Sequence, residues 1–328
     1  MRYIYLFIIS FSLSFADAHI FVYHRFGDSR YPSANTTKEQ LIAQFEYLKS
    51  HNYKIVPIED ILKKIKSHQD IPDSWVALTI DDGYKSFYEN GLPIFKKYNY
   101  PFSVYVYVQA TTHRYGDYMS WDQLKEVSKY GTIGLHSYAH PRLQNLTNQQ
   151  IIDDTQKAYD IFVKKMGYKP KIYVYPYGEY DPRVKNILTK YFDFEAILNQ
   201  NTGSVTKNTD IKDIPRVAVI GKSNLKYKLR YKTFDVKWHE PNSFPKNGIL
   251  TKVKANVDPK YKSLKLYVTG EGWRDIDVVD GKIDQYLNIY LKNTRTRILL
   301  GPDMFTVSNH LINKSKLKKG EKDDKRDL

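Results

Sequence analysis

The sequence predicts an α/β protein. It reads as a deformed (β/α) barrel of about seven strands, followed by a C-terminal all-β, sandwich-like domain. Three observations carry this. Short apolar runs alternate with helically periodic segments between residues 20 and 220. The residues with chemical potential stand just after the apolar runs, as they do at the C-terminal ends of parallel strands. After Gly221 the pattern changes to strict alternation.

The elements follow in order. Residues 20–23 form a short apolar run, a first strand. Over residues 37–52, Leu41, Ile42, Phe45 and Leu48 recur at helical spacing behind Thr36 and Thr37 as caps. A strand at 55–57 and a helix at 58–67 come next. Residues 75–80 are a continuous apolar strand that stops at Asp81-Asp82-Gly83. Residues 87–98 read as one helix weakened by Gly91 and Pro93, and 102–108 as a strand. Helix 121–129 precedes strand 132–135, which ends at His136; a long helix over 147–166 closes at Gly167. Strand 172–175 ends at Pro176-Tyr177-Gly178, and helix 182–191 leads to strands 194–198 and 217–220. Beyond the boundary, Ile249, Thr251, Val253, Ala255 and Val257 alternate with polar positions, as do Leu264, Leu266 and Val268 and then Leu287, Ile289 and Leu291. The expected organisation is a leader over 1–18, a catalytic domain over 19–228, a β-sandwich over 229–313, and a charged, aperiodic tail over 314–328.

The leader expectation rests on Met1-Arg2, an apolar run to Phe15, and Ala16-Asp17-Ala18 as an A-x-A signal. It implies an exported protein, periplasmic or at the cell surface, whose mature chain begins near His19. The absence of cysteine excludes a disulfide framework and any thiolate metal site, so a metal here needs His, Asp or Glu. Net charge is +15, and residues 222–328 hold 24 Lys and Arg against 13 Asp and Glu. A basic C-terminal third in an exported chain suits contact with anionic cell wall or membrane surface. No nucleic-acid-binding motif is present, so nucleic acid is not an expected partner.

Two short stretches carry the chemistry. Thr79-Ile80-Asp81-Asp82-Gly83 supplies adjacent carboxylates, and Gly83 permits a tight turn bringing both near one point. His136-Ser137-Tyr138-Ala139-His140 supplies two imidazoles four residues apart. Pro141 biases His140 away from helix, so a turn at a strand end is expected to present both rings. Such a set holds a divalent cation and leaves one carboxylate to act on water, which is a hydrolytic site.

With these blocks in hand, the chain resembles the polysaccharide deacetylases of carbohydrate esterase family 4, the NodB-homology domains. Tyr173-Val174-Tyr175-Pro176-Tyr177-Gly178, Tyr23-His24-Arg25 and Ile214-Pro215-Arg216 extend the resemblance over roughly residues 19–221. It implies metal-dependent N-deacetylation of an N-acetylglucosamine-containing polysaccharide, with release of acetate. It implies that Asp82, His136 and His140 hold a divalent metal, usually Zn2+, that Asp81 is the base, and that the Tyr177 backbone N–H helps bind the oxyanion. The sequence departs from the family pattern where Val174 replaces the usual Arg and where the usual Leu-x-His is missing. The poly-N-acetylglucosamine deacetylase branch, which places an acid histidine in a Tyr-His context, is the more similar one. His24 is therefore assigned as the acid and Arg216 as the orienter of Asp81. Trp121, Tyr175, Pro176 and Tyr180 are candidates to line a sugar cleft. The alternatives are a polysaccharide-binding protein on a degenerate scaffold and an O-acetyl esterase.

Overall fold

A computed structural model describes residues 17–317. The expected leader, apart from Asp17 and Ala18, and the tail beyond residue 317 lie outside the described residues. Parallel strands curl into one sheet, in the order Val217–Ala218, His19–Tyr23, Trp75–Ile80, Ser103–Val106, Thr132–Leu135, Ile172–Val174, Ala196–Leu198, with Lys54–Ile55 also against Trp75–Ile80. The strands read as unbroken apolar runs because both faces are covered. Alternate side chains serve different cores: Phe21, Tyr23, Leu78 and Ile80 enter one, Ile20 and Ala77 the other. The chain closes the curl by touching both ends. Ile211 and Ile214 bond the backbone of Ile197 and Asn199, while Val217 and Ala218 pair with Phe21 and Val22. That closure carries Arg216 across the mouth of the sheet.

Helix starts follow local chemistry. Thr37 with Gln40, Ser120 with Gln123, and Thr147 with Gln150 each make a reciprocal capping box, opening Lys38–Ser50, Trp121–Val127 and Asn148–Met166. The single helix expected over 87–98 is instead a π-helical turn, Phe87–Gly91, running into an α-helix, Leu92–Tyr98. Close packing at Gly91 accompanies the irregular turn: a Cβ there would stand 2.7 Å from the Phe87 ring and 3.1 Å from Phe26. Pro93, which has no N–H to give, follows at once. The expected strand at 102–108 stops at Val106, and Val108–Thr112 is a short helix.

The C-terminal part is a sandwich. Lys237–Glu240, Ile249–Asn256 and Lys282–Tyr290 form one sheet; Lys232–Thr233, Thr306–Asn313, Arg295–Gly301, Ser263–Val268 and Gly272–Asp277 form the other. Leu250, Val253, Leu266, Ile298 and Leu300 fill the space between. The alternation expected from Ile249 slips, because a register shift between Leu250 and Lys252 buries Leu250 and leaves Thr251 exposed. The first four residues of the expected tail, 314–317, are described and are bonded to the rest of the chain. Ser315 Oγ donates to Gln144 O at 2.6 Å, and the Lys316 N–H donates to Asn145 Oδ1 at 2.9 Å, so Ser315 and Lys316 lie on the barrel. At the opposite seam, Ala18 pairs with Val205, and buried Asp17 accepts from Ser204 Oγ and the Thr233 N–H.

Gly91→Ala should gain up to about 1 kcal/mol of helix propensity and lose about 1–3 kcal/mol to overpacking. The expected net result is a lower urea midpoint; an unchanged or higher midpoint would show that the Phe87 and Phe26 rings yield freely.

Candidate active site

Each chemically active side chain stands at or just beyond a strand end. Asp81 follows Trp75–Ile80 and anchors its N–H on Tyr23 O at 2.9 Å. Asp82 and Gly83 then both adopt left-handed backbone, with φ of 69° and 72°. Two such residues in succession turn the chain sharply, which lets adjacent carboxylates serve one site. The sequence pointed to Gly83 for this turn; Asp82 shares the strain.

His136 follows Thr132–Leu135, and its Nδ1 faces Val174 O at 2.9 Å. A carbonyl only accepts, so Nδ1 carries the proton and Nε2 keeps its lone pair for a ligand. The segment to His140 is a turn with Ser137 and His140 at φ 66° and 52°. Ser137 Oγ accepts from the His140 N–H, and the Asp154 carboxylate accepts from the N–H groups of Tyr138 and Ala139 at 3.0 and 2.9 Å. The long helix Asn148–Met166 thus holds the turn from below through Asp154.

The two Nε2 atoms lie 3.1 Å apart, and Asp82 Oδ1 is 3.5 Å from His136 Nε2 and 3.3 Å from His140 Nε2. One ligand atom from each of the three residues lies within 4.8 Å of the others. Burial, and after it the His136 ring, push the His140 imidazole down to about 4, so it is neutral at ordinary pH. Two ring nitrogens and a carboxylate oxygen converging in this way fit a tetrahedral divalent cation with an open position.

Asp81 is held differently. Arg216, fully buried, gives Nη1 to Oδ1 and Nη2 to Oδ2, both at 2.7 Å, while its Nε donates to Asn199 O at 2.9 Å and Nη1 also to Thr79 Oγ1 at 3.1 Å. Burial pushes the Asp81 carboxyl up, but Arg216, then His136 and His24, outweigh it and bring it to about 2. Asp81 is therefore ionised and oriented, with Oδ2 3.9 Å from His136 Nε2.

A cleft of about 510 Å³ opens over these groups and is lined by His24, Tyr84, Tyr107, Tyr118, Arg142, Tyr177, Glu179, Gln200 and Arg295. His24 thus shares the cleft with Asp81 and Asp82. Tyr177 has φ 60°, and Gly178 follows at φ 64° where a Cβ would come within 2.3 Å of Gln200 Cβ. The turn uses the N–H groups of Gly178 and Glu179 on Tyr175 O and Pro176 O. It sets the Tyr177 ring against His140, with centroids 4.5 Å apart.

The expected sugar-lining residues are placed elsewhere. Trp121 is buried beside Phe162 in the barrel's outer core, because its helix turns inward. Tyr175 is buried and stacks on Tyr180 at 4.4 Å, its hydroxyl donating to Lys212 O at 3.2 Å. Pro176 is buried, and Tyr180 faces a separate cavity beside Asn313. None of the four lines the catalytic cleft. Tyr84 and Tyr107 do, and their positions just past strand ends were a usable signal. Arg142 and Glu179, directly beyond the two motif blocks, offered the same signal; Arg295 offered none.

A family model for polysaccharide deacetylases matches residues 68–192. The putative polysaccharide deacetylase YxkH of Bacillus subtilis is 21% identical over 201 residues, covering 61% of this chain and 70% of its own. Poly-beta-1,6-N-acetyl-D-glucosamine N-deacetylase of Staphylococcus aureus is 26% identical over 217 residues, covering 61% and 72%. Among solved structures, the Streptococcus pyogenes deacetylase PplD superposes with a TM-score of 0.60 at 18% identity, over 65% of this chain and 97% of that one. IcaB from Ammonifex degensii gives 0.54 at 23% identity, over 62% and 92%. The deacetylases that this chain is similar to are hydrolases acting on amide bonds. The match to the polysaccharide deacetylase family model lies over the part of the chain that holds Asp81, Asp82, His136 and His140.

Because the Asp81 carboxyl falls from 3.8 to about 2 on folding, its stabilisation is present above pH 4 and is lost as pH drops from about 4 to 2. Urea titrations should show about 2 kcal/mol of this loss from Asp81. Arg216→Met should cost about 3–5 kcal/mol at pH 7 by leaving a buried unpaired carboxylate. It should also flatten the acid-range slope, and an unchanged slope would detach Asp81 from Arg216.

Proposed function

We propose that the protein is a metal-dependent N-deacetylase of N-acetylglucosamine-containing polysaccharide, exported from the cell, that releases acetate. The observation that carries this is the convergence of Asp82, His136 and His140 beside a second carboxylate, Asp81, that Arg216 fixes in place. Zinc is the cation assigned to Asp82, His136 and His140; when bound it supplies Lewis acidity, acidifying water and polarising the acetamide carbonyl.

The chain's own residues do the rest. Asp81 accepts the proton of the attacking water and is kept anionic and aimed by both N–H groups of Arg216. Water oxygen bonds to the carbonyl carbon, and the Tyr177 N–H is assigned to the developing oxyanion, a contact of a kind worth roughly 3–4 kcal/mol in the transition state. His24, which lines the same cleft, delivers a proton to nitrogen as the C–N bond breaks. The products are acetate and the free amine of the sugar. Val174, where the family pattern has Arg, contributes no charge; Arg216 takes over the orienting contact from another strand end. This replacement favours a working site over a degenerate one.

Asp81→Asn should keep the zinc content of the native protein and lose about 10²–10⁴-fold in acetate release, the usual range for a positioned acid–base group. Metal analysis and acetate release from N-acetylglucosamine oligomers, with zinc restored after chelation, check both halves. His24→Gln should lower kcat by a similar factor while the zinc content stays that of the native protein. Normal turnover in Asp81→Asn would remove the base assignment, and normal turnover in His24→Gln would move the acid elsewhere.

A further inference from the structure

The catalytic cleft is completed by the C-terminal sandwich. Arg295, first residue of the strand Arg295–Gly301, lines the same cleft as Asp81, Asp82 and His140. A series of contacts fixes its place relative to the metal ligands. The His140 ring abuts Tyr177, the Arg142 guanidinium lies over the Tyr177 ring at 4.3 Å, Arg142 pairs with Glu179, and Arg295 Nη1 stands 3.8 Å from Glu179 Oε1. Glu179 is buried, and its Oε2 is already occupied by Arg142 and by Gln144 Nε2 at 2.8 Å.

This wall therefore holds two guanidinium groups against one carboxylate. The other carboxylates lining the cleft are committed, Asp81 to Arg216 and Asp82 to the two histidines. Arg295 is an expensive cation to keep here. Its Nε and Nη2 are buried with no hydrogen-bond partner, leaving Nη1 toward Glu179 and the cleft. Burial, followed by neighbouring Arg297, pulls it down to about 10, so it remains charged at neutral pH. A half-buried, incompletely compensated cation at the edge of a binding cleft is stabilised by an incoming anion.

Resting on the deacetylase reading above, we propose that Arg295 and Arg142 form a subsite for a carboxylate carried by the sugar next to the one deacetylated. The preferred polymer is then an N-acetylhexosamine chain with carboxylate substituents, and the sandwich domain is part of the substrate-selecting surface.

The test uses the full zinc-loaded chain and three oligosaccharides of equal length: neutral N-acetylglucosamine oligomers, glycan strands whose alternate sugars bear a free lactyl carboxylate, and the same strands amidated at that carboxylate. The native protein should show at least a tenfold lower KM for the free acid than for the amide, with the preference weakening as salt rises. Arg295→Gln should erase the ratio between free and amidated strands, and Arg295→Lys, which keeps the charge, should retain part of it. Thermal midpoints of both variants report whether they fold. Calorimetric binding of the same strands to Asp81→Asn reads the preference without turnover. A protein that releases no acetate from any strand thus overturns the deacetylase reading alone. Equal affinity of native protein for free and amidated strands, or a preference that survives Arg295→Gln in folded protein, overturns the subsite.

Discussion

The buried bidentate pair between Arg216 and Asp81 is the constraint on which the rest of the site depends. A guanidinium with no solvent access has to be satisfied on every side, and Asp81, Asn199 O and Thr79 Oγ1 share that task. Those partners come from different strands, so the pair is also a tie across the mouth of the curled sheet. It fixes which of two adjacent carboxylates stays apart from the cluster of Asp82, His136 and His140. Asp82, released into a left-handed turn, is free to face the histidines. A single sequence dipeptide thereby serves two chemical purposes.

Much of this was legible beforehand because it is local. The blocks after strands 75–80 and 132–135 announce themselves by residue type, and the capping boxes at Thr37, Ser120 and Thr147 are set by pairs three residues apart. Arg216 as partner of Asp81 followed from the need for a cation where Val174 supplies none. What sequence reasoning lost was side-chain direction. Tyr175, Trp121 and Tyr180 lie near motifs in the chain, yet one is a strand-end residue turned into a stack and another sits on the inward face of its helix. Aromatic type cannot distinguish a sugar platform from a core, since both reward the same large apolar ring. The slip at Leu250 and the π-turn at Phe87–Gly91 were lost for a related reason. Each breaks a regular period locally: the strand shift buries Leu250 in place of Ile249 and Thr251 while Val253 and Ala255 stay inward, and the π-turn interrupts the helical spacing at Gly91.

The alternating pattern of the C-terminal part reads, in sequence alone, as that of a separate accessory unit. Its contacts say otherwise. Asn309 Nδ2 donates to Thr202 O, Asn313 Nδ2 to Tyr180 O, and Ser315 Oγ to Gln144 O, all onto loops that border the catalytic cleft. The polar nature of this seam matches interfaces that keep register between domains more than they supply stability.

Asp17 sits at the other end of the same seam. Its carboxylate bridges Ser204 and the Thr233 N–H, and Ala18 adds two backbone bonds to Val205. Burial raises the Asp17 carboxyl above its ordinary value. A chain trimmed to begin at His19 would keep every residue of the catalytic cleft. It would nevertheless exchange a shared carboxylate for an ammonium group in a place already bordered by Lys232. Cleavage at the expected leader boundary would thus remove one strand of this latch and leave the direct Ser204–Thr233 hydrogen bonds to carry that end of the seam.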